Sequence, residues 1–336
     1  MTDRGVTDSA TTSLATPTRN DGRLALALDI GGTKVAAGVV DGGGAVLGRA
    51  RRRMPTERGA DDLFAAVLDC LNAALADSGV PVSALAGLGC GCGGPMTWPA
   101  GEVSPLNITA WRGFPLRERL RAAFPGLPVL VHNDAVALAA GEHWKGTAQG
   151  VRNMLAVTVS TGVGGGLVLD GRLFHGRSGN AGHIGHMIVE PEGTPCVCGA
   201  RGCLEAVASG PSSVRWALEQ GWQPPAGTAA DGVALATAAA DGDPVARRAL
   251  ARSGRAVGLA VASCASLLDL DVVVVAGGFA QAGPLFWDAL QETVDRERGM
   301  EFARRTEVRP SVAPADVPLQ GAASFILVPE SYSWEG

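Results

Sequence analysis

Two distant segments of the chain repeat one pattern: an apolar run, a turn rich in polar residues and glycine, and a second apolar run. The first is Leu24–Ile30, then Gly31-Gly32-Thr33-Lys34, then Val35–Val40. The second is Met154–Ser160, then Thr161-Gly162-Val163-Gly164-Gly165-Gly166, then Leu167–Leu169. Each reads as a pair of buried strands joined by a glycine turn. A pattern that recurs once over such a separation predicts two related halves facing each other, a constraint few folds satisfy. Two such turns can also grip one polyphosphate from both sides, because glycine turns leave backbone N–H groups free to bind anions.

The start of the chain narrows this further. Asp41-Gly42-Gly43-Gly44 makes the next turn and Ala45–Arg53 a third strand. An antiparallel opening with no helix after the glycines is not a dinucleotide-binding start. No Gly-x-x-x-x-Gly-Lys-Ser/Thr motif is present, so a P-loop is excluded. In the first turn Thr33 and Lys34 add donors for phosphate, and Asp29 at the strand end can hold Mg²⁺ through water. A Gly-Gly pair taken alone more often just turns a hairpin.

Further along, Asp61–Asp77 has helical spacing, with Leu63, Val67, Leu71 and Leu75 on one face. A strand over Leu85–Cys92 ends in Gly93-Gly94-Pro95. Asn107 and Trp111 fall in a loop, and a helix spans about Pro115–Ala123. Val129–Val131 is a short strand running into His132-Asn133-Asp134, and Ala135–Glu142 is helical. Asn and Asp at a strand-to-helix junction suit an N-cap, but one suffices, leaving the other free for chemistry. Helices follow over Pro211–Gln220, Asp231–Ala240, Asp243 to about Leu268 and Ala282–Arg296. A buried strand, Asp271–Ala276, ends at Gly277-Gly278, and the tail from Pro318 to Val328 is a last helix.

With 336 residues, 46% of them hydrophobic, and a formal charge of −5, the chain can bury a large core and has no basic excess for nucleic acid. No apolar run is long and clean enough to span a bilayer. Residues 1–22 lack the apolar stretch of a signal peptide and are expected to be disordered. The 7 cysteines are too few and too odd in number for a disulfide scaffold, so reduced thiols and a cytoplasmic setting are expected. Cys70, Cys90, Cys92 and Cys264 have apolar neighbours and read as core.

The other three cysteines are different. Cys196, Cys198 and Cys203 lie in a Gly-rich stretch with His186 upstream. Three thiolates and an imidazole form the closed tetrahedral set that Zn²⁺ favours, and a segment with little apolar surface gains order from a metal. The alternatives are three unpaired core cysteines with a satisfied histidine, or a disulfide that leaves one cysteine over.

Gly185-His186 followed by Cys-x-Cys-Gly-x-x-Gly-Cys-Leu-Glu resembles the signature of the ROK family, which takes in repressors and sugar kinases. The resemblance extends from Leu24 over nearly the whole remaining chain. It implies an α/β, two-lobed ribonuclease H-like (actin–hexokinase) fold with a zinc-binding loop in the second lobe. One lobe would comprise 23–140 with the helix 318–330 returning to it, and the other 141–317 with the zinc loop 183–205. It implies ATP-dependent phosphorylation of a hexose or aminosugar at the 6-hydroxyl, in a cleft between the lobes. The cofactors would be ATP, Mg²⁺ and structural Zn²⁺, and a homodimer is common in the family. Asp134 would be the base for the sugar hydroxyl. Asn133, Gly94, Asn107, His186 and Glu205 would border the sugar. The family's Trp near the Asn also borders it, at a position like Trp111. Gly31, Gly32, Thr33 and Lys34 would form the first phosphate loop, Thr161 and Gly162 the second, and Gly277-Gly278 would lie against the adenosine, although a plain strand–helix turn accounts for that pair equally well. Glu205 also suits the first turn of a helix.

One position departs from the family. Its sugar kinases carry Glu-x-Gly-His, and here the residues are His183-Ile184-Gly185-His186. A carboxylate accepts from two hydroxyls, whereas a neutral imidazole offers one donor and one acceptor. Either glucose is held less well, or the preferred sugar differs nearby, as in an N-acetylated or free aminosugar such as N-acetylmannosamine, N-acetylglucosamine or kanosamine. The family's repressors carry a helix-turn-helix unit ahead of the first lobe. About 22 residues precede the first strand here, which argues against that reading. The intact Asp29, Gly-Gly-Thr-Lys and Asn-Asp argue against a non-catalytic sugar sensor.

Overall fold

The computed structural model describes residues 22–313 and 315–334; most of the segment expected to be disordered lies outside them. Three strands open the chain: β1 (Leu24–Ile30), β2 (Lys34–Asp41) and β3 (Val46–Arg53). Helix α1 (Ala60–Ser78), β4 (Leu85–Cys92), the short hairpin β5 (Met96–Thr97) and β6 (Glu102–Val103), α2 (Leu116–Ala123), β7 (Val129–Asn133) and α3 (Asp134–Trp144) follow. The second half contains β8 (Met154–Val159), β9 (Val163–Leu169), β10 (Arg172–Phe174), α4 (Leu204–Ala208), α5 (Gly210–Glu219), α6 (Gly232–Ala240) and α7 (Pro244–Leu268). It ends with β11 (Val272–Ala276), α8 (Pro284–Glu297), β12 (Glu307–Pro310), α9 (Val317–Leu327) and α10 (Pro329–Tyr332).

The repeat seen in the sequence is a repeat of topology. One five-stranded sheet has the order β3-β2-β1-β4-β7 and the other β10-β9-β8-β11-β12. In both, three antiparallel strands are extended by two parallel ones. The expected mixed α/β architecture is present.

Period-2 alternation sorts the side chains. Leu26, Leu28 and Ile30 of β1 face a core shared with α1 and α2. Leu155, Val157 and Val159 of β8, with Val273 and Val275 of β11, face a core under α4–α8. The opposite faces, Ala25 and Ala27 of β1 and Met154, Ala156, Val272 and Val274, meet in a third core containing α3 and α9. These two helices thus lie between the sheets, and close packing there requires small residues. A Cβ on Gly89 of β4 would collide with the Ala322 carbonyl of α9, and one on Gly321 with the Ala137 carbonyl of α3.

Close packing also corrects one sequence expectation. Val163–Gly166 is not part of a turn; it is the first half of β9, and the turn is only Ser160–Gly162. The glycines are needed because α3 lies on this strand. A Cβ on Gly164 would be 2.9 Å from Ala135 Cβ, and one on Gly166 would be 2.7 Å from Ala139 Cβ. Trp111, in the loop after Asn107, is part of the core. It is fully buried, stacks on Phe114 with centroids 4.4 Å apart, and donates its indole N–H to the Ala60 carbonyl.

Candidate active site

The carboxyl ends of the parallel strands converge. In register, Ile30 of β1 lies beside Cys92 of β4, which lies beside Asn133 of β7. Ligands of open α/β sheets collect at such ends. This one edge therefore carries Asp29, the turn Gly93-Gly94 and the pair Asn133-Asp134. Asn107 spans the first two turns: a Cβ on Gly32 would be 2.5 Å from Asn107 Nδ2, and one on Gly93 would be 3.6 Å from Asn107 Oδ1.

Asn133 is the N-cap of α3, and its Oδ1 accepts the Ala135 N–H at 3.0 Å. Asp134 Oδ1 accepts from the same N–H at 2.8 Å. The cap is satisfied by Asn133 alone, so the second carboxylate oxygen of Asp134 is not required by the helix. Burial raises the Asp134 pKa, backbone hydrogen bonds pull it back, and the Glu205 carboxylate raises it. Asp29 is pushed up to about 7, by burial first and then by Asp134, with Lys34 and Arg51 opposing. Three carboxylates thus share one site, each close enough to disfavour another's charge.

The second half meets them from the other side. Glu205, in the first turn of α4, accepts the Val163 N–H at 2.9 Å, which seats its carboxylate on the turn of the second hairpin. Gly277, at φ 101°, lies against the backbone of Val159, so the end of β11 abuts that same hairpin. The turn Ile184–His186 packs on β9 through buried Ile184 and Gly185. It presents two imidazoles, His183 and His186, with ring centroids 6.1 Å apart. His183 reaches across to the first half. A Cβ on Gly94 would be 3.2 Å from His183 Cε1 and 3.0 Å from Asn133 Nδ2. Its Nε2 is buried with no hydrogen-bond partner, and its pKa is lowered by burial and by His186.

Beside this site His186, Cys196, Cys198 and Cys203 cluster, with all candidate ligand atoms within 4.8 Å of one another. Cys196 Sγ is 3.8 Å from His186 Nδ1, and Cys198 Sγ is 3.6 Å from Cys203 Sγ. Zn–S bonds of about 2.3 Å and Zn–N bonds of about 2.0–2.1 Å give tetrahedron edges of about 3.6–3.8 Å, so these spacings fit a four-ligand zinc site. All three thiols are free, as are Cys70, Cys90, Cys92 and Cys264, which are buried.

Of the residues singled out in the sequence, these contacts bring together Asp29, Gly32, Gly94, Asn107, Asn133, Asp134, His183, His186 and Glu205, with Gly162 beside Glu205. The β5–β6 hairpin with Trp98, and the roles of His132 and His175, had no local signal in the sequence. Glu205 does lie in the first turn of a helix, the short Leu-Glu-Ala-Val-Ala run after Cys203.

No helix among the described residues is long and apolar enough to cross a membrane. The chain is similar to N-acetylmannosamine kinase of Yersinia pseudotuberculosis, with 36% identity over 298 residues, covering 89% of this chain and 96% of that protein. The ROK hexokinase of Thermus thermophilus superposes with a TM-score of 0.79 at 36% identity, over 91% of this chain and 99% of that one. A ROK family glucokinase from Streptomyces griseus, solved with glucose and AMPPNP, gives a TM-score of 0.79 at 33% identity, over 90% and 99% of the two chains. The sequence model of the ROK family matches residues 25–328, and the chain belongs to that family.

Proposed function

We propose that this chain transfers the γ-phosphoryl group of ATP to the 6-hydroxyl of a hexose or aminosugar. The observation that carries the reading is the placement of Asp134. It lies at the amino end of α3, its pKa is raised, and it sits among Asn133, Glu205 and the two glycine hairpins. Phosphoryl transfer demands positioning, charge neutralisation and a base for the hydroxyl, with little covalent chemistry. Asp134 takes the hydroxyl proton. Asn133 Nδ2, His183, His186 and Glu205 hold the sugar ring, with Gly94 and Asn107 at its border. Gly31–Lys34 and Thr161-Gly162 bind the phosphates, and Gly277-Gly278 lies under the adenosine. Asp29 is the residue that would hold Mg²⁺, which would supply neutralisation of phosphate charge. Residues 23–140, with the helix 318–330, form one lobe and 141–317 the other, and their closure excludes water that would waste ATP.

His186, Cys196, Cys198 and Cys203 hold a structural zinc. Were Nδ1 of His186, the nitrogen that faces Cys196, to hold the metal, Nε2 would keep its proton as a donor toward the sugar. The similarity to an N-acetylmannosamine kinase and the unpartnered His183 Nε2 favour an N-acylated hexosamine over glucose as the better acceptor. A coupled ADP-release assay tests both readings, using glucose, mannose, N-acetylglucosamine, N-acetylmannosamine and 3-amino-3-deoxyglucose. No sugar-dependent ADP release would overturn the kinase reading. A glucose kcat/KM above that of both N-acetylated sugars would overturn the aminosugar preference.

A further inference from the structure

We propose that His175 is a positioning residue for phosphoryl transfer, holding through His132 the strand end that carries Asn133 and Asp134. The inference rests on the site reading given above. His132 is fully buried at the end of β7, and its Nδ1 accepts the N–H of Asn133 at 2.8 Å. A backbone N–H can only donate, so Nδ1 is bare and the ring proton is on Nε2. That Nε2 lies 3.0 Å from Nδ1 of His175. His132 must therefore donate and His175 must accept, which puts the His175 proton on its own Nε2. Burial keeps both rings uncharged, with His132 lowered to about 3 and His175 to about 4. The polarity of the chain is thereby fixed: His132 gives its proton to His175 and accepts the Asn133 N–H.

His175 comes from the other half of the fold, in the loop between β10 and the His183–His186 turn. Trp98 stacks on it at 5.5 Å and 17°, and Trp334 meets it edge-on at 5.6 Å and 74°. Trp98 lies directly over Gly179, and the Asn180 amide pairs with the N–H and C=O of Met96 at 3.4 and 3.2 Å. One imidazole thus connects the strand end bearing the acid–base pair, the loop leading to His183, and the C-terminal segment. Removing its acceptor leaves a buried N–H without a partner. His132 can then turn or change tautomer and release the Asn133 N–H.

The test compares His175→Leu, which has no acceptor, with His175→Asn, whose Oδ1 can stand in for Nδ1. With ATP and whichever of glucose or N-acetylmannosamine turns over faster, His175→Leu is expected to lower kcat about ten- to a hundredfold, as small misplacements of reacting groups do. The KM for ATP should stay within about twofold, and His175→Asn should recover most of kcat. Long-range ¹H–¹⁵N spectra should show His132 protonated at Nε2 in the wild type and in His175→Asn. Wild-type kcat in His175→Leu, or equal losses of kcat and Tm in both variants, would overturn the proposal. So would a His132 protonated at Nδ1 in the wild type, with no variant needed. Because Asp134→Asn probes the base separately, a failure here is distinguishable from a failure of the kinase reading.

Discussion

The Glu205 carboxylate accepts the backbone N–H of Val163 at 2.9 Å, so a residue two positions past Cys203 of the Cys/His cluster holds the turn of the second hairpin. The cysteine cluster and the second hairpin are mechanically joined at this carboxylate. Glu205→Gln keeps an acceptor for Val163 but loses the charge. It is expected to raise the sugar KM about tenfold or more and leave the ATP KM nearly unchanged, since charge-assisted hydrogen bonds are roughly twice as strong as neutral ones. Glu205→Ala also frees the hairpin and should raise both. Steady-state kinetics with each substrate varied separates the two; equal effects of Glu205→Gln on both KM values would leave Glu205 only a role at the start of α4.

Asp134→Asn is expected to reduce kcat about 10²–10⁴-fold, the usual contribution of a general base. Folding should be kept, because Asn133 Oδ1 already caps α3. Circular dichroism and Tm check the fold, and single-turnover rates check the chemistry. A wild-type rate would make Asp134 a second cap and nothing more.

Asp29, pushed up to about 7, is expected to couple activity to pH and Mg²⁺. The sign follows from its causes. The ionised form is disfavoured in the folded state by burial and by Asp134, so its cost to stability is fully present above about pH 7 and fades as pH falls toward the unfolded value of 3.8. Asp29→Asn should therefore raise Tm at pH 8 more than at pH 5 while lowering activity about 10–100-fold. If Asp29 holds Mg²⁺, metal and proton compete for its carboxylate, so raising Mg²⁺ should move the acid limb of kcat/KM to lower pH. An acid limb independent of Mg²⁺ would remove Asp29 from the metal site.

One zinc per chain is expected on elemental analysis, since four protein ligands close the coordination shell. Cys198→Ser should cost most of the metal and lower Tm, and sugar affinity should fall with it because His186 belongs to both sites. Full retention of zinc in that variant would rule out the ligand set.

His183→Glu is expected to reorder the sugars. The native ring is held neutral by burial and by His186, and its Nε2 awaits one partner. A carboxylate there accepts from two hydroxyls and donates to none. Mispairing one buried polar group costs about 1–3 kcal/mol, or roughly ten- to a hundredfold in kcat/KM. If every sugar shifts by one common factor, His183 does not set specificity.

The local elements were legible because local physics writes them. Alternating apolar residues at 24–30 and 154–159, helical spacing in α1 and α7, and the Asn133-Asp134 junction each follow from periodicity or capping. The Cys/His cluster was legible because its members are close in sequence. The β9 glycines were misread because a glycine run signals a turn unless a helix lies against it, and α3, which lies there, is a separate element of the chain.

The sequence by itself determined the two matching hairpins, the Cys/His cluster and the Asn133-Asp134 junction, each encoded within a few residues. Tertiary structure alone decided which of these meet. Asp29, Asn133 and Glu205 converge because parallel strands end in register and a short helix leans on the second hairpin. His175 reaches His132 from the other half because packing is set by close approaches that no single segment can encode.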